Sequence, residues 1–196
     1  MTVVSSGYER KANELYETEA WATEALLRVL PPPPRSLEVW EPAAGNHAIA
    51  DVLYQGGADV FTSDIVQYSR PHNAIFDFLS GAAVPDAIPL RALQAVITNP
   101  PYGKGNREAV AFARKALGRC PHCWVALLLT AKFDFGKTRM DLFRDSPRFF
   151  AKVALVDRIQ WFAGEHGGTE DHAWFIWAPD GIGVQTPRLL YEGRAA

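Results

Sequence analysis

The sequence predicts an α/β fold: a mostly parallel sheet with helices on both faces and an antiparallel last hairpin. Three observations predict it. Short apolar stretches that end in polar or acidic residues alternate with helix-like patterns, and alternating βαβ units build a parallel sheet. The run Trp124 to Leu129 is continuously apolar, as expected of a strand covered on both faces. Near the chain end, two further strand-like stretches flank a loop that carries Gly164, Gly167 and Gly168.

The first element is an amphipathic helix over Thr18 to Leu30, where Trp21, Ala25 and Val29 recur at helical spacing beside Leu26 and Leu27. Pro31 to Pro34 stop it, because proline lacks the backbone donor and clashes with the preceding turn; the four act as a stiff spacer. Leu37 to Trp40 is a strand that runs into Glu41-Pro42, and His47 to Tyr54 is a helix closed by Gly56-Gly57. Val60 to Thr62 is a second strand, ending at Asp64, and Ala74 to Phe76 a third, ending at Asp77. Leu93 to Thr98 is a fourth, Glu108 to Leu117 a helix stopped by Gly118, and Trp124 to Leu129 a fifth strand. Val153 to Phe162 and Ala173 to Ala178 form the hairpin that closes the sheet.

At 196 residues the chain suits a single domain, 1–196, with residues 1–35 as an N-terminal helix and Pro-rich spacer and no separate target-recognition domain. Apolar residues make up 48%, which excludes a disordered chain. The apolar runs are too short for a membrane span and no signal peptide is visible, so a cytoplasmic protein is expected. Charge is uneven. Asn99 to Lys152 holds eleven Lys or Arg against four Asp or Glu, and the rest of the chain nine against eighteen. Such a stretch suits a polyanion.

The chemistry centres on Asn99-Pro100-Pro101-Tyr102, at the end of an apolar strand where open parallel sheets bind ligands. Two prolines remove two backbone donors. The Asn99 side-chain oxygen and the Pro100 carbonyl are then available to accept both hydrogens of an exocyclic amine, leaving its lone pair aimed outward for an in-line transfer. Tyr102 offers a flat face for a planar substrate. Glu41-Pro42-Ala43-Ala44-Gly45-Asn46-His47-Ala48 follows the first strand with small residues and a helix start, a place where backbone approaches a ligand closely. Asp64 lies 23 residues after Glu41 and suits ribose hydroxyls. Asp77 suits an adenine amine, with Phe78 packed on the ring.

With these residues in view, the chain resembles class I methyltransferases of the DNA adenine-N6 type, more narrowly the small phage- and prophage-associated ones. The resemblance covers nearly the whole chain. It implies a Rossmann-like sheet of seven strands, S-adenosyl-L-methionine as cofactor, and transfer of its methyl group to adenine N6. Asn99, Pro100, Pro101 and Tyr102 match the family's catalytic motif. Glu41, Pro42, Ala43 and Gly45 match its cofactor loop, and Asp64 with its neighbour Ile65, Asp77 and Phe78 its adenosine site; Asn99 also borders the cofactor. Tyr16, Thr18 and Trp21 fall in a segment that, when it precedes the cofactor loop, contacts the methionine end, which is the γ arrangement. His47 stands where the family usually has a second glycine.

DNA is the expected partner and RNA the alternative. Other readings are protein glutamine methylation and a non-catalytic nucleic-acid-binding protein that keeps the fold. Phosphate contacts are expected from Lys104 and Arg107 after the motif and from Lys132, Lys137 and Arg139, with Arg144, Arg148 and Lys152 in the same basic stretch. No metal is expected. Cys120-Pro121-His122-Cys123 follows a helix and precedes a strand, the wrong order for a thioredoxin-type pair, and a zinc site would need more ligands. His172 and Trp174 are further candidates to line the pocket. Nothing in the sequence fixes an oligomeric state.

Overall fold

A computed structural model describes residues 15–31, 37–161 and 170–195. Most of the proline spacer, the three glycines of the late loop and His166 lie outside the described residues. The elements run α1 (Ala20–Leu27), β1 (Glu38–Glu41), α2 (Ala48–Gln55), β2 (Asp59–Asp64), β3 (Ala74–Ile75), β4 (Ala95–Thr98), α3 (Arg107–Arg119), β5 (Trp124–Thr130), β6 (Phe149–Leu155), β7 (His172–Trp177) and β8 (Arg188–Glu192). Short 3-10 turns at Lys104–Asn106, Phe133–Phe135 and Lys137–Leu142 fill the connections around α3 and between β5 and β6.

The strands form one sheet in the order β3-β2-β1-β4-β5-β7-β6-β8. The first five pair in parallel, while β7 runs antiparallel to both β5 and β6. The parallel sheet and the late antiparallel β6–β7 pair are those the sequence predicts. The strand count differs: β8 adds an eighth strand, parallel to β6, at the edge.

Period-two alternation feeds two cores. Val39, Ala95, Ile97, Ala126, Leu128, Trp174 and Ile176 face one side, where α1 and α2 supply Ala22, Ala25, Leu26, Ile49 and Leu53. Trp40, Val96, Val125, Leu127, Leu129, Phe175 and Trp177 face the other, against Phe112, Ala113 and Ala116 of α3 and against Phe76, Phe78 and Phe133.

Two boundaries move relative to expectation. The first helix is only Ala20–Leu27: Glu19 is extended (ψ 139°), which frees Thr18 for the site. β6 begins at Phe149 and ends at Leu155; the Val156 amide still donates to the Glu192 carbonyl of β8, and the chain leaves the sheet after it.

Much of the basic stretch serves the fold. Arg148 is buried; its guanidinium donates to the carbonyls of Ala178 (2.6 Å), Cys123 (2.8 Å) and Leu117 (3.0 Å). It therefore ties together the ends of β7, α3 and the Cys120–Cys123 turn. Lys152 pairs with Asp134 and the carbonyl of Ala131, and Arg144 with Asp145. Arg139, half-buried, donates to the Phe133 carbonyl at 2.6 Å and lies over the Phe133 ring, so at least part of its guanidinium serves packing. Both cysteines are buried free thiols, and Cys123 Sγ donates to the Leu93 carbonyl.

Candidate functional site

A cleft of about 360 Å³ opens at the carboxyl ends of β1, β2 and β4, where a parallel sheet leaves backbone ends free. Tyr16, Thr18, Glu41, Pro42, Ala43, Gly45, Asp64, Ile65, Asp77, Phe78, Asn99 and Pro101 all line it. The structure thus gathers most of the expected residues from five separate segments. Trp21, Pro100 and Tyr102 are the exceptions. The Trp21 ring packs in the core under α1 with the Arg194 guanidinium 4.9 Å from its centroid, and Tyr102 lies beside the cleft and not on its wall. Pro100 is buried behind the motif and also lies off the wall.

The loop after β1 is held by Asp64. Its Oδ2 accepts from the Gly45 amide (2.9 Å) and its Oδ1 from the Ile65 amide (2.7 Å). Both oxygens keep a second lone pair. Gly45 has φ 50°, a left-handed backbone that favours glycine, and a Cβ there would push the flexible Leu15 side chain aside (Cδ1 at 2.6 Å). His47 takes the left-handed conformation (φ 69°) that the absent second glycine would supply. Its side chain lies 3.0 Å from His72 Nδ1, where the two rings share one hydrogen. Asn46 completes the clasp: it donates to Glu17 and accepts from the Ser69 amide and hydroxyl.

Glu41 is 1% exposed, and its Oε2 has no hydrogen-bond partner among the described residues. Burial, reinforced by the nearby charges of Asp64 and Asp51, pushes its carboxyl well above the usual carboxylate range. A cationic group in the cleft would reverse that and draw the proton off. Asp77 Oδ1 accepts from the Leu79 amide, and Phe78 stacks on Phe112 with centroids 4.8 Å apart.

Asn99 stands at the mouth. Its Nδ2 donates to Thr18 Oγ1 at 3.3 Å, and its buried Oδ1 has no partner among the described residues. A buried acceptor without a donor costs about 1–3 kcal/mol. An N–H brought by a ligand would recover that. Tyr102 is held from behind, its hydroxyl donating to the Leu128 carbonyl at 3.2 Å.

A chain of aromatic rings runs from Tyr16 on the cleft wall to Tyr102. Tyr102 and His172 have ring centroids 6.4 Å apart, His172 and Trp161 5.1 Å, and Trp161 and Tyr16 6.0 Å. Burial lowers the His172 pKa to about 4, so the imidazole is neutral. Trp161, which sequence reasoning does not mark as a candidate, lies outside the cleft lining but reaches it through its contact with Tyr16. The signal for it is Asp157-Arg158, a charged pair that follows β6 and lets the next aromatic leave the sheet. Trp174 is instead fully buried, donating from Nε1 to the Ala22 carbonyl. Lys104, Arg107 and Lys132 are exposed just beyond the carboxyl ends of β4 and β5, while Lys137, also exposed, lies on the 3-10 turn beside α3.

No helix among the described residues is long and apolar enough to cross a membrane, and none of their His, Cys, Asp and Glu side chains form a group of three suited to a metal. No family model and no curated protein matches the sequence. Solved structures do match its fold. A candidate RNA methyltransferase from Pyrococcus horikoshii superposes with a TM-score of 0.66 at 14% identity, over 85% of this chain and 87% of that one. A candidate class I S-adenosylmethionine-dependent methyltransferase from Listeria monocytogenes gives 0.56 at 12% identity, over 90% of this chain and 63% of that one. The type I restriction enzyme EcoKI M protein gives 0.54 at 13%, over 88% of this chain and 45% of that one. The fold is that of the class I methyltransferases.

Proposed function

We propose that this chain transfers a methyl group from S-adenosyl-L-methionine to the exocyclic N6 amine of adenine in DNA. The observation that carries the reading is the buried Oδ1 of Asn99 at the mouth of the cleft, unpartnered among the described residues, with Thr18 fixing the other end of the amide. That oxygen asks for a donor, and an exocyclic amine is one.

The cleft residues fit the cofactor. Glu41 offers a buried carboxyl oxygen to a cationic end, and Asp64 offers unused lone pairs to hydroxyls. Asp77 and Phe78 sit where a planar base with an amine would find an acceptor and an apolar face. When bound, the cofactor supplies a methyl group already activated on a sulfonium, so no strong base is needed. Asn99 orients the target amine, the prolines keep competing donors away from it, and Tyr102 and Trp161 cover the base and exclude water. Neutral His172 between those rings adds no positive charge beside the nitrogen that must donate its lone pair.

The polyanion enters over Lys104, Arg107, Lys132 and Lys137. With no separate element to enter a groove among the described residues, affinity rests on phosphates and specificity is relaxed, at most a short context around adenine. A base within a duplex must be turned out of the stack to reach Asn99. The test is incubation with labelled cofactor and, separately, DNA, RNA and protein, with the modified product identified by mass. N6-methyladenine in RNA alone, or methylated glutamine, would move the substrate and keep the site.

A further inference from the structure

The sheet ends differently at its two edges. β3 is two residues long and templates nothing, whereas β8 is a five-residue strand, Arg188-Leu189-Leu190-Tyr191-Glu192, paired among the described residues only with β6. An open edge of this length with apolar side chains is one that chains normally blunt or cover. Here it is held ready. Arg28 pairs with Glu192 and donates to the Gly193 carbonyl, and Arg194 pairs with Glu19 while its amide donates to Asp157. A Cβ at Gly193 would meet Asp157 Oδ2 at 2.6 Å, so the strand end is fitted closely.

The direction of each backbone group follows from the parallel ladder. Val156 donates to the Glu192 carbonyl, so Glu192 faces β6, and by alternation so do Leu190 and Arg188. The N–H and C=O groups of Leu189 and Tyr191 point outward. Their side chains are also exposed, 55% and 65%, on the face opposite Leu190, which packs against the α1–α2 core.

We propose that β8 is a homodimer interface, in which two copies pair their β8 strands antiparallel across a two-fold axis at Leu190. The sequence of the strand is self-complementary about that residue. Leu189 then faces Tyr191 of the second copy, and Tyr191 faces its Leu189. Both are outward-directed pairs, so each exchanges two backbone hydrogen bonds, four in all. Arg188, which lies over the Phe150 ring, falls opposite Glu192 of the second copy; Glu192 already pairs with Arg28 through Oε2, so the cross-copy contact would use its other oxygen, and a shift of register would forfeit it. Any two-fold contact must be self-complementary in this sense, and a partner of another sequence would have no need of it. Pro187, which has no N–H to offer, marks where pairing stops.

Sedimentation across a concentration series should show a monomer–dimer equilibrium in the wild type. Leu189→Lys and Tyr191→Glu should each weaken the dimer by about tenfold or more, since each desolvates two unpaired charges in the interface. The double variant should recover most of that loss, because each Lys then faces a Glu of the other copy. Both positions are exposed, so the fold is not at stake. Residue-resolved amide exchange gives a second readout: Leu190 is protected at every concentration, Leu189 and Tyr191 only where the dimer is populated. A wild type that stays monomeric at its highest attainable concentration overturns the proposal. So does association that neither single variant weakens, or single variants whose losses simply add in the double.

Discussion

Removing the Asp64 carboxylate should loosen the cleft and weaken the cofactor together. In the folded chain one oxygen holds the Gly45 amide at 2.9 Å and the other the Ile65 amide at 2.7 Å, with the residue 8% exposed. Hydrogen bonds to a charged group contribute about 1.5–3 kcal/mol each. Asp64→Ala loses both and leaves two amides unpaired near the cleft, where water recovers part of the loss. A net cost of about 3 kcal/mol follows, which in a domain of this size lowers Tm by about 6–12 °C. Asp64→Asn keeps one acceptor but turns an NH2 toward the other amide, so it should fall between wild type and Ala. Differential scanning calorimetry reads the stability, and titration with S-adenosylhomocysteine reads the affinity. Gly45→Ala serves as the control: it strains the same loop with the carboxylate in place, so it separates loop position from loss of the acceptor. Unchanged Tm and affinity in Asp64→Ala would refute both the clamp and the assignment of this cleft to the cofactor.

Other expectations follow from the same geometry. Tyr102→Phe gives up one long hydrogen bond to Leu128, worth about 0.5–1 kcal/mol, and should keep most of the turnover, while Tyr102→Ala removes the ring face and should abolish it; equal severe loss in both would mean the hydroxyl acts directly. His172 titrates near 4 when folded against about 6.5 when unfolded, so the unfolded chain takes up the proton first. Its contribution to stability is therefore constant above about pH 7 and falls by about 3 kcal/mol as pH drops from about 6.5 to about 4, and His172→Phe should remove that part of the pH profile in urea melts. Replacing Lys104, Arg107 and Lys132 by Gln should weaken DNA binding similarly for all sequences. It should also make the slope of log K against log salt shallower by about 0.9 for each phosphate no longer neutralised; weakening confined to one sequence would show base readout instead.

The parts of this molecule legible in its sequence are those where local pattern and burial agree. β4 and β5 are apolar up to their final threonine and lie at the centre of the sheet, so they are plain. The motif after β4 and the loop after β1 follow, because ligand sites form where such strands end. What stays hidden depends on distant partners. β8 lies at the edge with both charged ends engaged elsewhere, so its five residues carry no periodic signal. The end of β6 reads too long because the apolar residues Ile159 and Trp161 follow it, although the chain leaves the sheet once the Val156 amide has paired with Glu192. Arg148 looks like a surface cation until the carbonyls of three elements are seen to converge on it. His47 reads as a departure from a glycine pattern, yet the backbone there keeps the left-handed turn that glycine would take. A single left-handed residue of this kind costs roughly 1–2 kcal/mol, which the surrounding clasp of Asn46, Glu17 and Ser69 offsets.

The most direct test of the central claim pairs Asn99→Ala with the wild type on random-sequence DNA and labelled S-adenosyl-L-methionine, with the nucleosides identified by mass and cofactor affinity measured alongside. With Asn99 Oδ1 addressing the target amine, the wild type should yield N6-methyladenine, Asn99→Ala none, and the two should bind the cofactor with closely similar affinity. An Asn99→Ala variant that methylates as fast as the wild type, or a wild type that binds the cofactor and modifies no adenine in DNA, would contradict it.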